Sequence, residues 1–353
     1  MSTAWQWPEL QSDAEACSSF CSALHERGFA LLQLPESARA DVTAVRELAA
    51  RFFSLPDSAK HEAAAAEADV GGGEGVGYRD KSSHDSEFLE LYLTAAGATY
   101  PAIDSPAGLG AATAALHRRL SEVARGLLTI IAAERGIPAA TLLQPLALWA
   151  PDSGGDVGHT PSDSHASADG GGASGAAAAA PDATAPPDAV WAADAAPLST
   201  SLLRVCHYRP APCAPPPGSP ADVLFASHTD STLLTLSPLT PEAPALQLRR
   251  PVASEGWVNV EELAGLTPLH VEVHAGDFLG LLTRGYYSPC THRVSRPKGG
   301  VARVSCPLLL RPRDDWRRGR GWLDQMRDVD SSSSDGSGDE ASQRSQCGAA
   351  REP

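Results

Sequence analysis

Three side chains with metal-binding chemistry lie within residues 224–310. His228 and Asp230 are two residues apart, and His292 follows much later in a second apolar segment. Residues at positions i and i+2 of an extended strand point to the same side, so one strand end could supply two ligands to one ion. Two imidazoles and one carboxylate are the ligands that hold one face of iron in non-haem Fe(II) oxygenases. The sequence therefore predicts a metal site whose opposite face is open.

Arg303 and Ser305 repeat the two-residue spacing on the next strand-like segment, VARVSCPLLL. A guanidinium beside a hydroxyl on one strand face can bind a carboxylate through charge-assisted hydrogen bonds. His228 considered singly is more often a core histidine than a ligand. The five residues together, in this order and on strand-like segments, favour a metal site with a carboxylate site nearby.

Short apolar segments flank these residues and must position them. They are separated by glycine, proline and aspartate, and this density of short strands favours an antiparallel double sheet. We therefore predict a fold that is mainly β with flanking helices. The strand-like segments include SLLRVCHY, LQLRRP, GWVNV, LHVEV and DFLGLLT.

Helical periodicity dominates the first part of the chain. Residues 12–27 have an amphipathic pattern, with Ser12 as the predicted N-cap and Gly28 as the terminator. Residues 110–136 keep apolar spacing over the longest stretch, and we expect this helix to lie along the outside of the sheets. Further helices are predicted at 36–56 and 57–68.

Composition limits the classes of partner. The chain has 353 residues, a net charge of −15 and a pI of about 5.1, which disfavours general binding to a nucleic-acid backbone. Its seven cysteines are an odd number without paired metal-type spacing, which favours reduced thiols. The N-terminus lacks signal-peptide features, and no apolar run approaches membrane-span length. We expect a cytoplasmic monomer that acts on a small molecule and binds neither nucleic acid nor membrane.

Four motifs carry a family resemblance. HTDSTLLTL, LQLRRPVASEGWVNV, VHAGDFLGLLTRGYYSPCTHRVSRP and RVSCPLLLRP resemble the iron- and 2-oxoglutarate-dependent oxygenases of the isopenicillin N synthase-like family. The resemblance implies a double-stranded β-helix (jelly-roll) core. It places His228, Asp230 and His292 on iron, and Arg303 and Ser305 on the distal carboxylate of 2-oxoglutarate.

The resemblance extends to other parts of the chain. Tyr208, followed by Pro210, is similar to a family segment in which a tyrosine helps to hold the oxoacid, although a packing role is equally open. The implied domains are a helical/mixed N-terminal region packing on the barrel (1–110), a supporting helix (111–149), a disordered insertion (150–198), the jelly-roll domain (199–315) and a terminal helix with a disordered tail (316–353). The insertion is also predicted from its composition, because it has almost no large apolar residue.

The implied activity is oxidation of a C–H bond of a small organic metabolite, by hydroxylation or desaturation. The implied cofactors are Fe(II), 2-oxoglutarate as co-substrate and O2, and ascorbate is compatible with them. Ser231 and Arg284 depart from the family pattern, so no particular substrate is implied. Tyr286 and Tyr287 could contact substrate with Arg284, or form an ordinary exposed turn.

Three alternatives stay open at this point. One is an Fe(II) oxidase of the same fold that uses no 2-oxoglutarate. Another is a non-catalytic jelly-roll binding module, and the third is a structural zinc site, which usually needs four protein ligands rich in cysteine.

Overall fold

Two β-sheets that pack face to face form the centre of the protein. The computed structural model describes residues 4–63, 77–81, 85–94, 96–103, 105–146, 197–210, 222–249, 256–263, 265–297 and 300–312. Within these ranges one sheet has ten strands and the other has four, and the neighbouring strands are antiparallel except β1 and β2. The strands are Trp5–Gln6 (β1), Phe29–Gln33 (β2), Gly77–Lys81 (β3), Ser86–Thr94 (β4), Thr99–Tyr100 (β5), Pro197–Tyr208 (β6), Val223–His228 (β7), Leu234–Pro238 (β8), Leu246–Arg249 (β9), Trp257–Asn259 (β10), His270–Ala275 (β11), Thr291–Ser295 (β12), Arg303–Ser305 (β13) and Leu308–Leu310 (β14).

The strand order brings distant segments together. The larger sheet runs β1-β2-β11-β8-β14-β6-β4-β3, with β13 also paired to β6 and β5 to β4, and the smaller sheet runs β10-β9-β12-β7. Between the sheets, Cys206 and Tyr208 of β6 pack with Leu224 of β7 and Val294 of β12. This mainly β arrangement with a jelly-roll core confirms the predicted fold class.

Helices cover the outer face of the larger sheet. The α-helices are Trp7–Leu10 (α1), Ala14–Arg27 (α2), Arg39–Phe53 (α3), Asp57–Ala63 (α4), Leu109–Glu134 (α5), Ala139–Leu143 (α6) and Asp277–Leu282 (α7), and short 3₁₀ turns lie at Glu36–Ala38, Gln144–Leu146 and Val260–Glu262. α5 packs against α2, α3 and several strands of the larger sheet, because its apolar stripe recurs at helical spacing. Within the described ranges no helix combines the length and apolar character that a membrane span requires.

The start of α2 differs from the prediction. Asp13, not Ser12, is the N-cap, because its Oδ1 accepts hydrogen bonds from the backbone N–H groups of Glu15 at 2.8 Å and Ala16 at 3.3 Å. Gly28 ends the helix as predicted, with a φ of 78° that favours glycine.

Several predictions fall on residues outside those described. The insertion predicted at 150–198 lies there apart from its last two residues, which begin β6, and the tail predicted at 316–353 lies there entirely. The domain boundaries stay predictions. Five cysteines are described, and all five are free thiols: Cys17, Cys21, Cys206, Cys290 and Cys306.

Candidate metal centre

Two neighbouring strands of the smaller sheet carry the two histidines. His228 ends β7 and lies directly opposite His292 of β12 in the antiparallel register, and the two imidazole centroids are 4.2 Å apart. The Nδ1 atom of His228 lies 2.9 Å from the carbonyl oxygen of Ala226, and that of His292 lies 3.2 Å from the carbonyl oxygen of Cys290. If each Nδ1–H donates to its carbonyl, each Nε2 keeps a lone pair for a metal ion.

Asp230 lies in the loop after β7, so the prediction that it shares one extended strand with His228 is wrong. The first turn of α7 holds this loop instead, and α7 is itself a correction, because its segment DFLGLLT was predicted as a strand. The backbone N–H of Asp277 donates to the carbonyl oxygen of Asp230 at 2.9 Å, and that of Phe278 donates to the carbonyl oxygen of Thr232 at 3.0 Å. The loop carbonyls thus satisfy N–H groups that a helix start leaves without an intrahelical partner.

Gly276, just before α7, allows the loop to approach. A Cβ atom at this position would lie 2.2 Å from Oγ1 of Thr232 and 2.7 Å from the carbonyl oxygen of Asp230, which no side chain can tolerate without movement. The missing side chain therefore contributes to the position of Asp230 through close backbone packing.

The ligand atoms of His228, Asp230 and His292 converge. Oδ1 of Asp230 lies 3.5 Å from Nε2 of His228 and 3.8 Å from Nε2 of His292, and one ligand atom from each residue fits within a 4.8 Å cluster. Asp230 and His292 are buried, whereas the His228 side chain is 31% exposed. One side of the cluster is therefore closed by protein and the side next to His228 is accessible.

The other carboxylate oxygen of Asp230 is held by the protein. Oδ2 accepts a hydrogen bond from Oγ1 of Thr235 at 2.6 Å and lies 3.2 Å from Nε2 of His274. Nδ1 of His274 in turn lies 2.9 Å and 3.0 Å from the two carboxylate oxygens of Glu272. Glu272 and His274 are both buried, so a Glu–His pair from β11 orients the carboxylate and leaves Oδ1 facing the two imidazoles.

Sequence reasoning missed this pair. The segment HVEVHAGD places Glu272 and His274 on alternate positions of a strand whose other residues are mostly apolar. Two ionisable residues on one face of such a strand indicate a polar site within a core, because isolated charges are costly to bury.

The electrostatics favour a cation between the three ligands. Burial would raise the pKa of Asp230, but hydrogen bonds to His228 and His274 outweigh it and hold that pKa well below its usual range. Burial, together with the neighbouring His274, lowers the pKa of His292 to about 3. Burial would lower the pKa of His274 too, but the charge of Glu272 outweighs it and raises that pKa to about 10. The cluster thus combines an ionised carboxylate with a neutral imidazole of His292.

Arg303 lies in a second buried site on the inner face of the larger sheet. Its Nη2 donates to Oε1 of Glu261 at 2.9 Å. Glu261 also accepts three backbone N–H bonds, from Thr240, Ala245 and Leu246. The carboxylate of Glu261 therefore anchors the guanidinium of Arg303. This role of Glu261 was not predicted from the sequence.

One donor of Arg303 is left over. Its Nε atom is buried and has no hydrogen-bond partner within the described part of the chain. An unpartnered buried donor is costly, so a polar partner for it is expected. The carboxylate of a bound molecule would fit this requirement.

Tyr208 and Ser305 border the same site. In the pairing of β13 with β6, Arg303 lies opposite Tyr208 and Ser305 lies opposite Cys206. The guanidinium carbon of Arg303 is 5.4 Å from the centre of the Tyr208 ring. Burial raises the pKa of the Cys206 thiol to about 11, although hydrogen bonds with Tyr208 and Ser305 oppose this. The structure thus brings the predicted carboxylate-binding residues together around a neutral thiol.

The turn at 284–287 packs elsewhere. The Tyr286 ring stacks on His25 at 4.0 Å between centroids, and the guanidinium carbon of Arg135 lies 3.5 Å from the centre of that ring. Tyr287 is fully buried, and Arg284 has a turn conformation with a φ of 53°. These contacts with α2 and the end of α5 favour a structural role over substrate contact.

Comparison with known proteins agrees with this geometry. Residues 199–312 match the family model described as the 2OG-Fe(II) oxygenase superfamily. No curated protein matches the chain.

Solved structures share the fold at low sequence identity. A 2OG-Fe(II) oxygenase family protein from Caulobacter crescentus is 18% identical, with a TM-score of 0.60 over 88% of this chain and 87% of its own. A full-length Neurospora crassa protein in complex with alpha-KG is 17% identical, with a TM-score of 0.60 over 88% and 84%. The rice dioxygenase for auxin oxidation is 20% identical, with a TM-score of 0.57 over 89% and 85%.

The family match covers the predicted site residues His228, Asp230, His292, Arg303, Ser305 and Tyr208, and the structural likeness extends over most of the chain. Residues 199–312 therefore match the 2OG-Fe(II) oxygenase superfamily, an oxidoreductase family whose name gives Fe(II) and 2-oxoglutarate as its cofactors, and the solved structures show that the fold is shared.

Proposed function

We propose that the protein oxidises a C–H bond of a small organic metabolite, by hydroxylation or desaturation, with Fe(II) held by His228, Asp230 and His292. The observation that carries this proposal is the convergence of the three ligand atoms within 4.8 Å. The two imidazoles and the carboxylate are the ligand set of non-haem Fe(II) oxygenases. The accessible side next to His228 is where co-substrate and substrate would approach.

Different residues bind the metal and the co-substrate. Nε2 of each histidine and Oδ1 of Asp230 bind the metal, while Thr235 and His274 hold the remaining carboxylate oxygen. Arg303, with Ser305 and Tyr208, binds the distal carboxylate of 2-oxoglutarate, and the unpartnered Nε of Arg303 supports this assignment. Bound Fe(II) and 2-oxoglutarate supply, with O2, the oxidising power for the C–H bond.

An Fe(II) oxidase that needs no 2-oxoglutarate is the second candidate. It gives no reason for a buried guanidinium that keeps one donor free beside two hydroxyl side chains. The release of one succinate for each substrate oxidised distinguishes the two candidates, because only the first consumes 2-oxoglutarate.

The similar structures do not identify the substrate of this protein. They include complexes of the Neurospora crassa protein with thymine and with 5-formyluracil, and a rice enzyme for auxin oxidation. The molecules named for these proteins differ, and the identities do not exceed 20%. The isopenicillin N synthase-like branch, a monomeric state, a cytoplasmic location, a role for ascorbate and the absence of nucleic-acid or membrane partners stay predictions.

The proposal is tested with His228→Ala. Anaerobic addition of Fe(II) and 2-oxoglutarate to the wild-type protein should produce a weak visible charge-transfer band, and exposure to O2 should release succinate. Both signals should be lost in His228→Ala, because the metal loses one of three ligands. His61→Ala, at an exposed position of α4, is the matched control and should keep both signals. Survival of 2-oxoglutarate consumption in His228→Ala would contradict the metal assignment.

A further inference from the structure

We propose that the substrate carries a carboxylate on an apolar body, and that Arg204 and Arg79 bind this carboxylate next to the metal centre. This inference rests on the proposed function, since it describes the substrate of the same site. It begins with an ion pair on the inner face of β4 and β6. Glu90 of β4 lies opposite Arg204 of β6 in the antiparallel register. Nε and Nη2 of Arg204 lie 2.6 Å and 2.5 Å from Oε1 of Glu90.

The strand pattern places this pair on the face of the larger sheet that packs against the smaller sheet. Arg204, Cys206 and Tyr208 occupy alternate positions of β6, and the last two pack with Leu224 and Val294 of the opposite sheet. Two residues along a strand span about 7 Å, so Arg204 lies one such step beyond the Cys206–Ser305 row. Burial would lower the pKa of Arg204, but the charge of Glu90 raises it, and the charge of Asp230 contributes.

This cluster contains two guanidinium groups but one carboxylate. Arg79 of β3 approaches the same carboxylate from the other side, with Nη2 3.3 Å from Oε2 of Glu90. Two guanidinium groups thus share one carboxylate, which leaves one net positive charge. Nη2 of Arg79 is buried and makes no hydrogen bond within the described residues. The two bonds of Arg204 use Nε and Nη2 and end on a single oxygen, so its Nη1 is not used by them.

Aromatic rings connect the arginines to the metal centre. The guanidinium carbon of Arg204 is 5.9 Å from the centre of the Phe88 ring. Phe88 and Phe225 have centroids 6.0 Å apart, and Phe225 lies 4.6 Å from the His228 ring. A molecule that reaches from Arg204 to the accessible side of His228 would lie along these rings. Its body is therefore apolar, and aromatic bodies gain from edge or offset stacking.

A carboxylate suits the free charge and geometry. One net positive charge matches a monoanion, and the planar guanidinium fork matches the two oxygens of a carboxylate. The Arg204 side chain is 20% exposed and that of Glu90 is 6% exposed, so the charges are shielded yet reachable. Binding an anion there would give a hydrogen-bond acceptor to Nη2 of Arg79, which lies 3.3 Å from Oε2 of Glu90 without forming a hydrogen bond.

The test compares acids with their neutral amides. Full-length protein, loaded with Mn(II) and saturating 2-oxoglutarate without O2, is titrated by calorimetry with phenylacetate, 3-phenylpropionate and hexanoate, and with the three matching primary amides. We expect at least one acid to bind about tenfold tighter than its amide, since one charge-assisted hydrogen bond contributes at least that factor. If no acid binds better than its amide, the proposal is overturned.

Two variants with opposite expected signs separate binding from structure. Arg204→Gln should remove the preference for the acid, whereas Glu90→Gln should strengthen acid binding about tenfold, because it releases both arginines from a competing carboxylate. Arg204→Gln with Glu90→Gln keeps a polar pair in place and should retain only the part of the acid preference that Arg79 supplies. Arg125→Gln, exposed on α5, is the control.

The outcome is separable from the proposed function. Mn(II) and 2-oxoglutarate titrations of the same samples should match the wild type in every variant. If both are retained but Arg204→Gln and Glu90→Gln weaken acid binding equally, the pair is structural and the substrate proposal fails alone. If the wild-type protein binds neither Mn(II) nor 2-oxoglutarate, the proposed function fails, and the substrate proposal fails with it.

Discussion

The two faces of the β4–β6 pair carry charged clusters that differ in how completely their hydrogen bonds are satisfied. On the outer face, Glu87 accepts from Lys60 at 2.5 Å and Tyr78 at 2.7 Å, and lies 2.8 Å from Nδ1 of His207. Arg209 adds an ion pair at 3.4 Å. Glu87 is only 2% exposed, and its oxygens have a donor on every side.

On the inner face, one carboxylate serves two guanidinium groups, and the buried Nη2 of Arg79 lies 3.3 Å from that carboxylate without forming a hydrogen bond. The two clusters are three residues apart on the same strand, so composition does not distinguish them. What distinguishes them is whether donors and acceptors balance. A buried cluster whose donors and acceptors are all paired stabilises the fold. A cluster with more cationic groups than carboxylates can still bind an anionic ligand.

The largest expected effect comes from breaking the outer cluster. Glu87→Gln should lower the free energy of unfolding by about 3–5 kcal/mol, because it removes the buried charge partner of Lys60 and leaves only the exposed Asp57 paired with it. Glu90→Gln should cost much less, since its arginines reach solvent. Chemical denaturation of the apo protein measures both. Equal costs would show that the two clusters play the same structural role.

Acid titration sharpens the same contrast. Burial would raise the pKa of Glu87, but hydrogen bonds with His207, Lys60 and Tyr78 outweigh it and lower that pKa to about 2. A lowered folded-state pKa adds stability above the ordinary value near 4.5, and this contribution is lost as pH falls towards about 2. It amounts to about 3 kcal/mol at neutral pH. Denaturation at several pH values should show this loss in wild type but not in Glu87→Gln.

Changes to the Glu272–His274 pair, on the inner face near the metal site, should alter the affinity for the metal. Replacing the pair by Glu272→Gln with His274→Asn should weaken Mn(II) binding by about 10–100-fold, because Asp230 loses a group that orients it. The double change avoids leaving Glu272 unpaired. Metal titration of apo protein gives the affinity, and denaturation without metal is the control for folding. Unchanged affinity would mean that Thr235 and the α7 contacts alone position Asp230.

Secondary structure could be predicted from the sequence where the local residue pattern is clear. The apolar stripe of α5 and the alternation in β6 identify these elements, because burial of one face is a property of the segment itself. The N-cap of α2 was missed by one residue, since Ser12 and Asp13 are both capable caps and the choice depends on backbone geometry. The 230–232 loop was predicted as strand because its docking on α7 has no local signal.

The candidate site divides in the same way. His228, Asp230 and His292 could be proposed because their types and spacing suit one metal ion, and Arg303 with Ser305 because they suit a carboxylate. Glu261, which anchors Arg303, and the Arg204–Glu90–Arg79 cluster could not, because each contact joins strands or turns that are distant in the chain.

Sequence alone determined which residues have the chemistry and, for α5 and β6, which secondary structure forms, because side-chain type and periodicity are local properties. Tertiary structure decided which face of each strand packs between the two sheets. It also decided which hydrogen-bond donors have a partner. Those outcomes depend on strand register across long sequence separations, where a shift of one residue turns every side chain to the opposite face.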